Sequence, residues 1–318
     1  MATAVDTLRQ GAGSTERKAG GVPSRRRSRR AQRRRWLGLL YLSPALVLYG
    51  AIVIQPLAQT VNYSLYKWDG VSTPKWVGLS NFTKFWTNPA MVSAFGHVLV
   101  LIVMFGFIPL ALGLLCASLL SRAKIRGEGA YRWFLFLPQV LTSVVVAIIW
   151  KRIYAPDGPL NTVLGAVGLG ALRHNWLGDF TWALPALGMI GVWGGFGFTM
   201  LLFLAGVVAI PNEQFEAARL DGANRWHEIV YIILPSLRGQ MAIALTMTIT
   251  GALRTFDLVY VTTQGGPGTA TTTPALLLYN MAFVNPNVGL AAATGIIMAV
   301  LCMVIAVVIT RVVEGRDS

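Results

Sequence analysis

Six long apolar runs alternate with short polar stretches along the chain, at about 37–59, 95–120, 133–153, 182–209, 240–262 and 288–312. A hydrocarbon core of about 30 Å takes roughly 20 apolar residues at helical rise, so each run is long enough to cross it. None carries the two-residue alternation of a barrel strand, and lipid leaves no partner for an open backbone, so each run predicts a helix. Pro44, Pro56, Pro109, Pro138 and Pro185 fall inside or at the edges of these runs. Neighbouring helices can satisfy the carbonyls they free, so they predict kinks. The pattern is that of an all-α polytopic membrane protein with six transmembrane helices.

The polar stretches differ in character. Residues 60–94 hold Tyr63, Tyr66, Trp68, Trp76, Phe82, Phe85 and Trp86. The Trp and Tyr rings suit the membrane–water boundary, and the sharper alternative is a platform for an extracytoplasmic partner. In 154–181, Pro156-Asp157-Gly158-Pro159 and a Gly-rich run predict a turn and then a short re-entrant or surface helix.

Composition agrees with the pattern: 54% of the 318 residues are hydrophobic and 13% charged, with mean hydropathy +0.58. Charge then orients the chain. An even number of crossings puts both termini on one side, and residues 1–36 carry Arg9, Arg17, Lys18, Arg25, Arg26, Arg27, Arg29, Arg30, Arg33, Arg34 and Arg35. By the positive-inside rule that side is cytoplasmic, and it also holds Arg122, Lys124, Arg126 and Arg132 of the 121–132 loop, the 210–239 segment, and Arg311 and Arg316. The net charge of +14 is then mostly topology. Residues 1–36 have no apolar periodicity and are read as a disordered basic tail that touches anionic lipid, with nucleic-acid binding the lesser alternative. Ser28-Arg29-Arg30 is a weak match to a twin-arginine signal, and the long apolar run that follows argues for an anchor.

Several chemistries are excluded. Cys116 and Cys302 lie in separate apolar runs, and His97, His174 and His227 stand without ligand-spaced neighbours, so no metal site is expected. No Gly-x-Ser-x-Gly or His-Glu-x-x-His motif occurs, and no catalytic residue is assigned. No lysine follows a glycine, which excludes a phosphate-binding P-loop. If ATP drives this chain, ATP and Mg bind another subunit.

The 210–239 segment is a polar island between two apolar runs. Pro211 suits a helix start, with Asn212 and Glu213 expected to serve its orphan N–H groups and Glu216 in its first turns. Ala217, Ala218, Gly222 and Ala223 leave room for a partner surface to approach the backbone. Gly222 interrupts the helix, and Trp226, Ile229, Val230 and Ile233 define an apolar stripe on a second one. Leu234-Pro235 is expected to stop that helix before the fifth span.

Glu216-Ala217-Ala218-x-x-Asp221-Gly222-Ala223, followed by Ile232-x-Leu234-Pro235, resembles the EAA loop of permease subunits of binding-protein-dependent ABC importers. Gly78-Leu79-x-Asn81-Phe82, Trp193 to Met200, and Phe256-Asp257 leading to Thr263-Gln264-Gly265-Gly266-Pro267 are similar to the carbohydrate-uptake branch, the maltose- and glycerol-phosphate-permease relatives. Ile229 stands where such permeases often have an aromatic residue, and Gly239 where proline is common. The resemblance implies a type I importer permease fold over 37–318 in a bacterial inner membrane. It also implies coupling helices at 210–239 that dock on a separate ATPase dimer through Glu216, Ala217, Ala218, Asp221, Gly222, Ala223, Leu234 and Pro235. A second permease subunit, a distinct homologue, and an extracytoplasmic solute-binding protein complete the expected assembly.

Arg254 and Asp257 fall about 21 and 26 Å along a fifth helix counted from residue 240. They are expected to pair at i, i+3 or, alternatively, to line a sugar pathway with the aromatic faces of Trp193, Phe256 and Tyr260. Gly194, Gly195 and Gly197 would admit a ligand to the fourth helix, and the resemblance adds Phe196 to the pathway. The expected cargo is a mono- or oligosaccharide, with glycerol phosphate or a polyol second. An ion-coupled secondary transporter is the rival class, but it calls for buried carboxylates or matching broken helices in two halves.

Overall fold

The computed structural model describes residues 41–120 and 128–314. The tail 1–36, the start of the first run, most of the 121–132 loop and Arg316 lie outside the described residues. The described helices are α1 (Tyr41–Ser64), α3 (Pro89–Leu120), α7 (Ala183–Val208) and α13 (Val288–Glu314), which are long and apolar, and several shorter ones between them, α12 (Pro274–Val284) among them. The chain divides into two units at Leu57 and Ala58, and the elements that follow α1 all belong to the second.

The hydrophobic pattern located the spans, and capping residues moved their ends. α1 runs to Ser64, beyond the expected 59. α3 starts at Pro89 instead of 95 because the Asn88 side chain accepts from Ala90 N at 3.0 Å and Pro89 takes the first helical position, where its missing N–H costs nothing. Prolines inside helices are absorbed by π-helical turns just ahead of them: Gly50–Ile54 before Pro56, Val103–Phe107 before Pro109, and Glu228–Ile233 before Pro235. Pro138 does more than kink. The third run folds as α4 (Glu128–Val140) and α5 (Ser143–Ile153), bent by 98°, with Thr142 capping the restart through its hydroxyl and Val145 N. The fifth run is also broken. α10 (Arg238–Leu253) ends at Arg254, Phe256 is non-helical at φ −122°, and α11 (Asp257–Thr262) follows.

Between α1 and α3 a two-residue antiparallel pair, β1 (Tyr66–Lys67) and β2 (Lys75–Trp76), departs from the all-helical expectation. Asp69 makes its turn, accepting from Val71 N at 3.0 Å and from Ser72 N and Oγ at 2.7 and 2.8 Å. These donors hold its carboxyl well below the usual range, at about 2. Asn81, on α2 (Ser80–Thr87), is buried and donates to Ser64 O and Tyr66 O at 2.8 and 2.9 Å, tying α2 to the end of α1 and to β1. The expected surface helix in 154–181 is α6 (Pro159–Ala166).

The core forms where the C-terminal half of α3 lies along α7. A Cβ on Gly113 would come 2.8 Å from Met200 N, so only glycine allows this approach. Thr199 Oγ1 lies 2.7 Å from Pro109 O across the same seam. α4 packs on the other side of α7, where a Cβ on Gly197 would come 2.5 Å from Leu135 O. Gly197 therefore serves helix packing and does not open a ligand face. One apolar cluster, with Leu101, Val146, Leu187, Ile190 and Val259, joins α3, α5, α7 and α11. A second, with Phe203, Leu204, Phe215, Ile233 and Leu237, joins α7 to the polar island.

Candidate functional site

The island folds as an elbow of two short helices. Pro211 is extended at ψ 136° and precedes α8 (Asn212–Leu220), which has no side-chain cap; Asn212 and Glu213 do not serve the orphan N–H groups, and Glu213 lies in the first turn, where the helix dipole favours an acid. Gly222 sits at φ +83°, donating to Arg219 O at 3.0 Å while Ala223 N donates to Ala218 O at 2.9 Å. This is a Schellman cap, and the left-handed position explains glycine after Asp221. Asn224 then starts α9 (Arg225–Ser236): its side chain accepts from His227 N at 2.9 Å and His227 Nδ1 accepts from Asn224 N at 3.4 Å.

Phe215 and Ile233 anchor the elbow in the second cluster, Ile229 and Ile232 packing alongside, whereas Trp226 of the expected apolar stripe is exposed. α9 continues through Leu234 and Pro235 to Ser236; the stop is at buried Leu237, because the preceding π-helical turn accommodates the proline, and α10 leaves at 72°. Of the expected docking residues, Glu216, Ala217, Asp221, Gly222, Leu234 and Pro235 face outward, as does Leu220, with Ala218 and Ala223 half-buried. Leu220, 89% exposed, was not anticipated, although a leucine within a polar run is the available signal. Buried Glu228, paired with Arg219 at 2.7 Å, was also missed.

At the far end of α10 lies a cavity of about 470 Å³, within the usual 300–1,000 Å³ of ligand sites. The two helix breaks face it: Pro138, Gln139, Leu141 and Ser143 from the first, Arg254, Thr255, Phe256 and Asp257 from the second. Gly191, Gly194 and Gly195 of α7, Phe105 of α3, and Met247, Thr248 and Gly251 of α10 add to the wall. Non-helical backbone at membrane depth is tolerated where it lines such a space. Thr255 O is satisfied by Thr273 Oγ1 at 2.9 Å.

Of the pathway residues read from sequence, Gly195, Arg254, Phe256 and Asp257 line the cavity, and Trp193, Phe196 and Tyr260 do not. Trp193 turns into the first cluster, 5.7 Å from the Trp150 ring. Tyr260 stacks on Phe256 at 5.2 Å and so supports the wall from behind. Arg254 and Asp257 do not form the i, i+3 pair, because the helix ends between them; both are exposed. Gln139, Ser143, Thr248 and Thr255 were missed, and Pro138-Gln139 in an apolar run was the legible signal for the first two.

Residues 110–316 match the family of binding-protein-dependent transport system inner membrane components. The chain belongs to this family. As an inner-membrane transport component it is 33% identical over 269 residues to a probable ABC transporter permease protein of Pyrococcus horikoshii, covering 84% of this chain and 92% of that one. It is also 33% identical over 286 residues to the diacetylchitobiose uptake system permease protein of Streptomyces coelicolor, covering 85% and 80%. Its fold is similar to a chain of a bacterial ABC transporter that imports the acidic polysaccharide alginate, with TM-score 0.77, 22% identity, and coverage of 91% and 98%.

Proposed function

We propose that this permease forms the translocation path for a neutral mono- or oligosaccharide delivered by an extracytoplasmic solute-binding protein. The cavity carries the reading: it opens at two helix breaks, offers amide, hydroxyl, guanidinium and carboxylate groups beside the Phe256 ring, and its two charged residues, Arg254 and Asp257, cancel. Hydroxyl-rich rings suit such a mixture of donors, acceptors and an aromatic face. A glycerol phosphate would face Asp257 as well as Arg254, so the sugar is preferred. The name of the diacetylchitobiose permease points the same way.

ATP and Mg are assigned to a separate ATPase dimer, on which Glu216, Ala217, Ala218, Asp221, Gly222 and Ala223 dock. The chain's own part is mechanical: closure of that dimer pushes the elbow, and α10, about 24 Å long at 1.5 Å per residue, carries the push to the cavity wall at Arg254. The arginine-rich tail and the basic 121–132 loop support a cytoplasmic position for both termini. A second permease subunit, a distinct homologue, completes the path.

The test has two parts. Thermal stabilisation of the purified binding protein is measured against a panel containing diacetylchitobiose, lactose, maltose, glycerol 3-phosphate and glycerol, and the best stabiliser is then followed as uptake into vesicles containing the assembled complex. ATP-dependent uptake of a neutral sugar is expected. Stabilisation by glycerol 3-phosphate alone overturns the sugar, and uptake driven by an ion gradient without ATP overturns the mechanism.

A further inference from the structure

Resting on the reading of the elbow as the part that meets the ATPase, we propose that the Arg219–Glu228 ion pair fixes the angle between α8 and α9, making the elbow one rigid body. Arg219 Nε donates to Glu228 Oε1 at 2.7 Å, from the last turn of α8 to the start of the π-helical turn in α9. Glu228 is 5% exposed, and a carboxylate at that burial is retained only when paired. Arg219 stays half-exposed, its side chain at 54%, so the contact is made from the rim inward.

The surrounding geometry puts this contact beside the turn, where it bears directly on the angle. The connection 221–224 contains Gly222 at φ +83°, with no atom within 4 Å of where its Cβ would stand, so the outer side of the turn is open at Gly222. Phe215 anchors α8, and Ile229, Ile232 and Ile233 anchor α9, in the same apolar cluster. On the polar side the ion pair joins the two helices directly, side chain to side chain, beside the turn. Glu216, Ala217 and Leu220 face out from α8, so a push on them passes through the pair into α9, then through Leu237 into α10. Arg219 and Glu228 are positioning residues: neither touches cargo.

The experiment uses the full chain in its assembled complex, with Cys116 and Cys302 replaced by serine and spin labels placed at the exposed positions Leu220→Cys and Tyr231→Cys. The parent should give a narrow distance distribution and ATP hydrolysis stimulated by the sugar-loaded binding protein. Glu228→Gln should at least double the width of the distribution and cut the stimulation about fivefold. Arg219→Gln reads the same contact from its exposed side should the buried variant assemble poorly. The exchange Arg219→Glu with Glu228→Arg should restore both readouts. An unchanged distribution in Glu228→Gln and Arg219→Gln overturns the clamp, and so does a broadened one with full stimulation. Glu216→Lys, which leaves the clamp intact, is the separate control: if it retains full stimulation, the elbow is not the docking surface.

Discussion

From 212 to 237 the elbow takes its shape from one continuous run of chain, whereas the cavity draws on Phe105, Gln139, Gly191, Thr248 and Asp257, residues scattered over half the sequence. Local rules govern the turn of the first: a left-handed glycine and a capping box each act within a few residues. The second exists because helices break where tertiary packing can satisfy the freed backbone, as Thr273 does for Thr255. An element that must present one fixed surface can be written contiguously. A space enclosed between helices is distributed, and so depends on the packing of every helix around it.

The largest expected effect tests the elbow. Glu216→Lys combined with Gly222→Val reverses an exposed charge and puts a β-branched residue at φ +83°, at a cost of about 1–2 kcal/mol in the turn. Uptake into vesicles should fall more than tenfold with the complex still assembled, and normal uptake rejects the assignment. Next comes the cavity. Arg254→Gln should raise the KM for uptake about tenfold, the loss of one charged hydrogen bond of about 1.5 kcal/mol. Trp193→Ala should leave KM within twofold, since that ring packs on Trp150 and not on the cavity. Equal effects of the two would erase the distinction drawn between lining and supporting residues.

A smaller effect separates fold from function. Asn81→Ala strands two carbonyls, Ser64 O and Tyr66 O, and should lower thermal stability by about 1–3 kcal/mol without changing which sugars are transported. The smallest concerns Asp69. Its folded pKa, about 2, lies below the ordinary 3.8, so its contribution is complete above the unfolded value and disappears as pH falls through about 2. Fluorescence of Trp68, whose Nε1 donates to Ser72 O across the same turn, should hold steady from pH 7 to 4 and change only below. Asp69→Ala should show the changed signal already at pH 7, with uptake unaffected.

How much could be read in advance follows the same division. The Glu216 to Ala223 motif gave the elbow its place and its exposed face, because Schellman and capping geometry are properties of neighbouring residues. The same reading left out Glu228, which is buried and paired with Arg219 nine residues earlier across the turn. Gly197 was assigned to a ligand and belongs to the seam with α4; a glycine in a run of glycines does not state which neighbour it admits. The expected Arg254–Asp257 pair assumed an unbroken helix through Thr255, a residue with no helix-breaking signature of its own.

By itself the sequence determined the membrane class, the spans as apolar runs and the place of the elbow, since each rests on hydropathy or on hydrogen bonds among close neighbours. Tertiary structure alone decided where runs three and five break, which rings face a cavity and which face the core, and which acid could be buried. Those outcomes depend on desolvation and close packing between segments far apart in the chain, where a residue's role is set by what lies across from it.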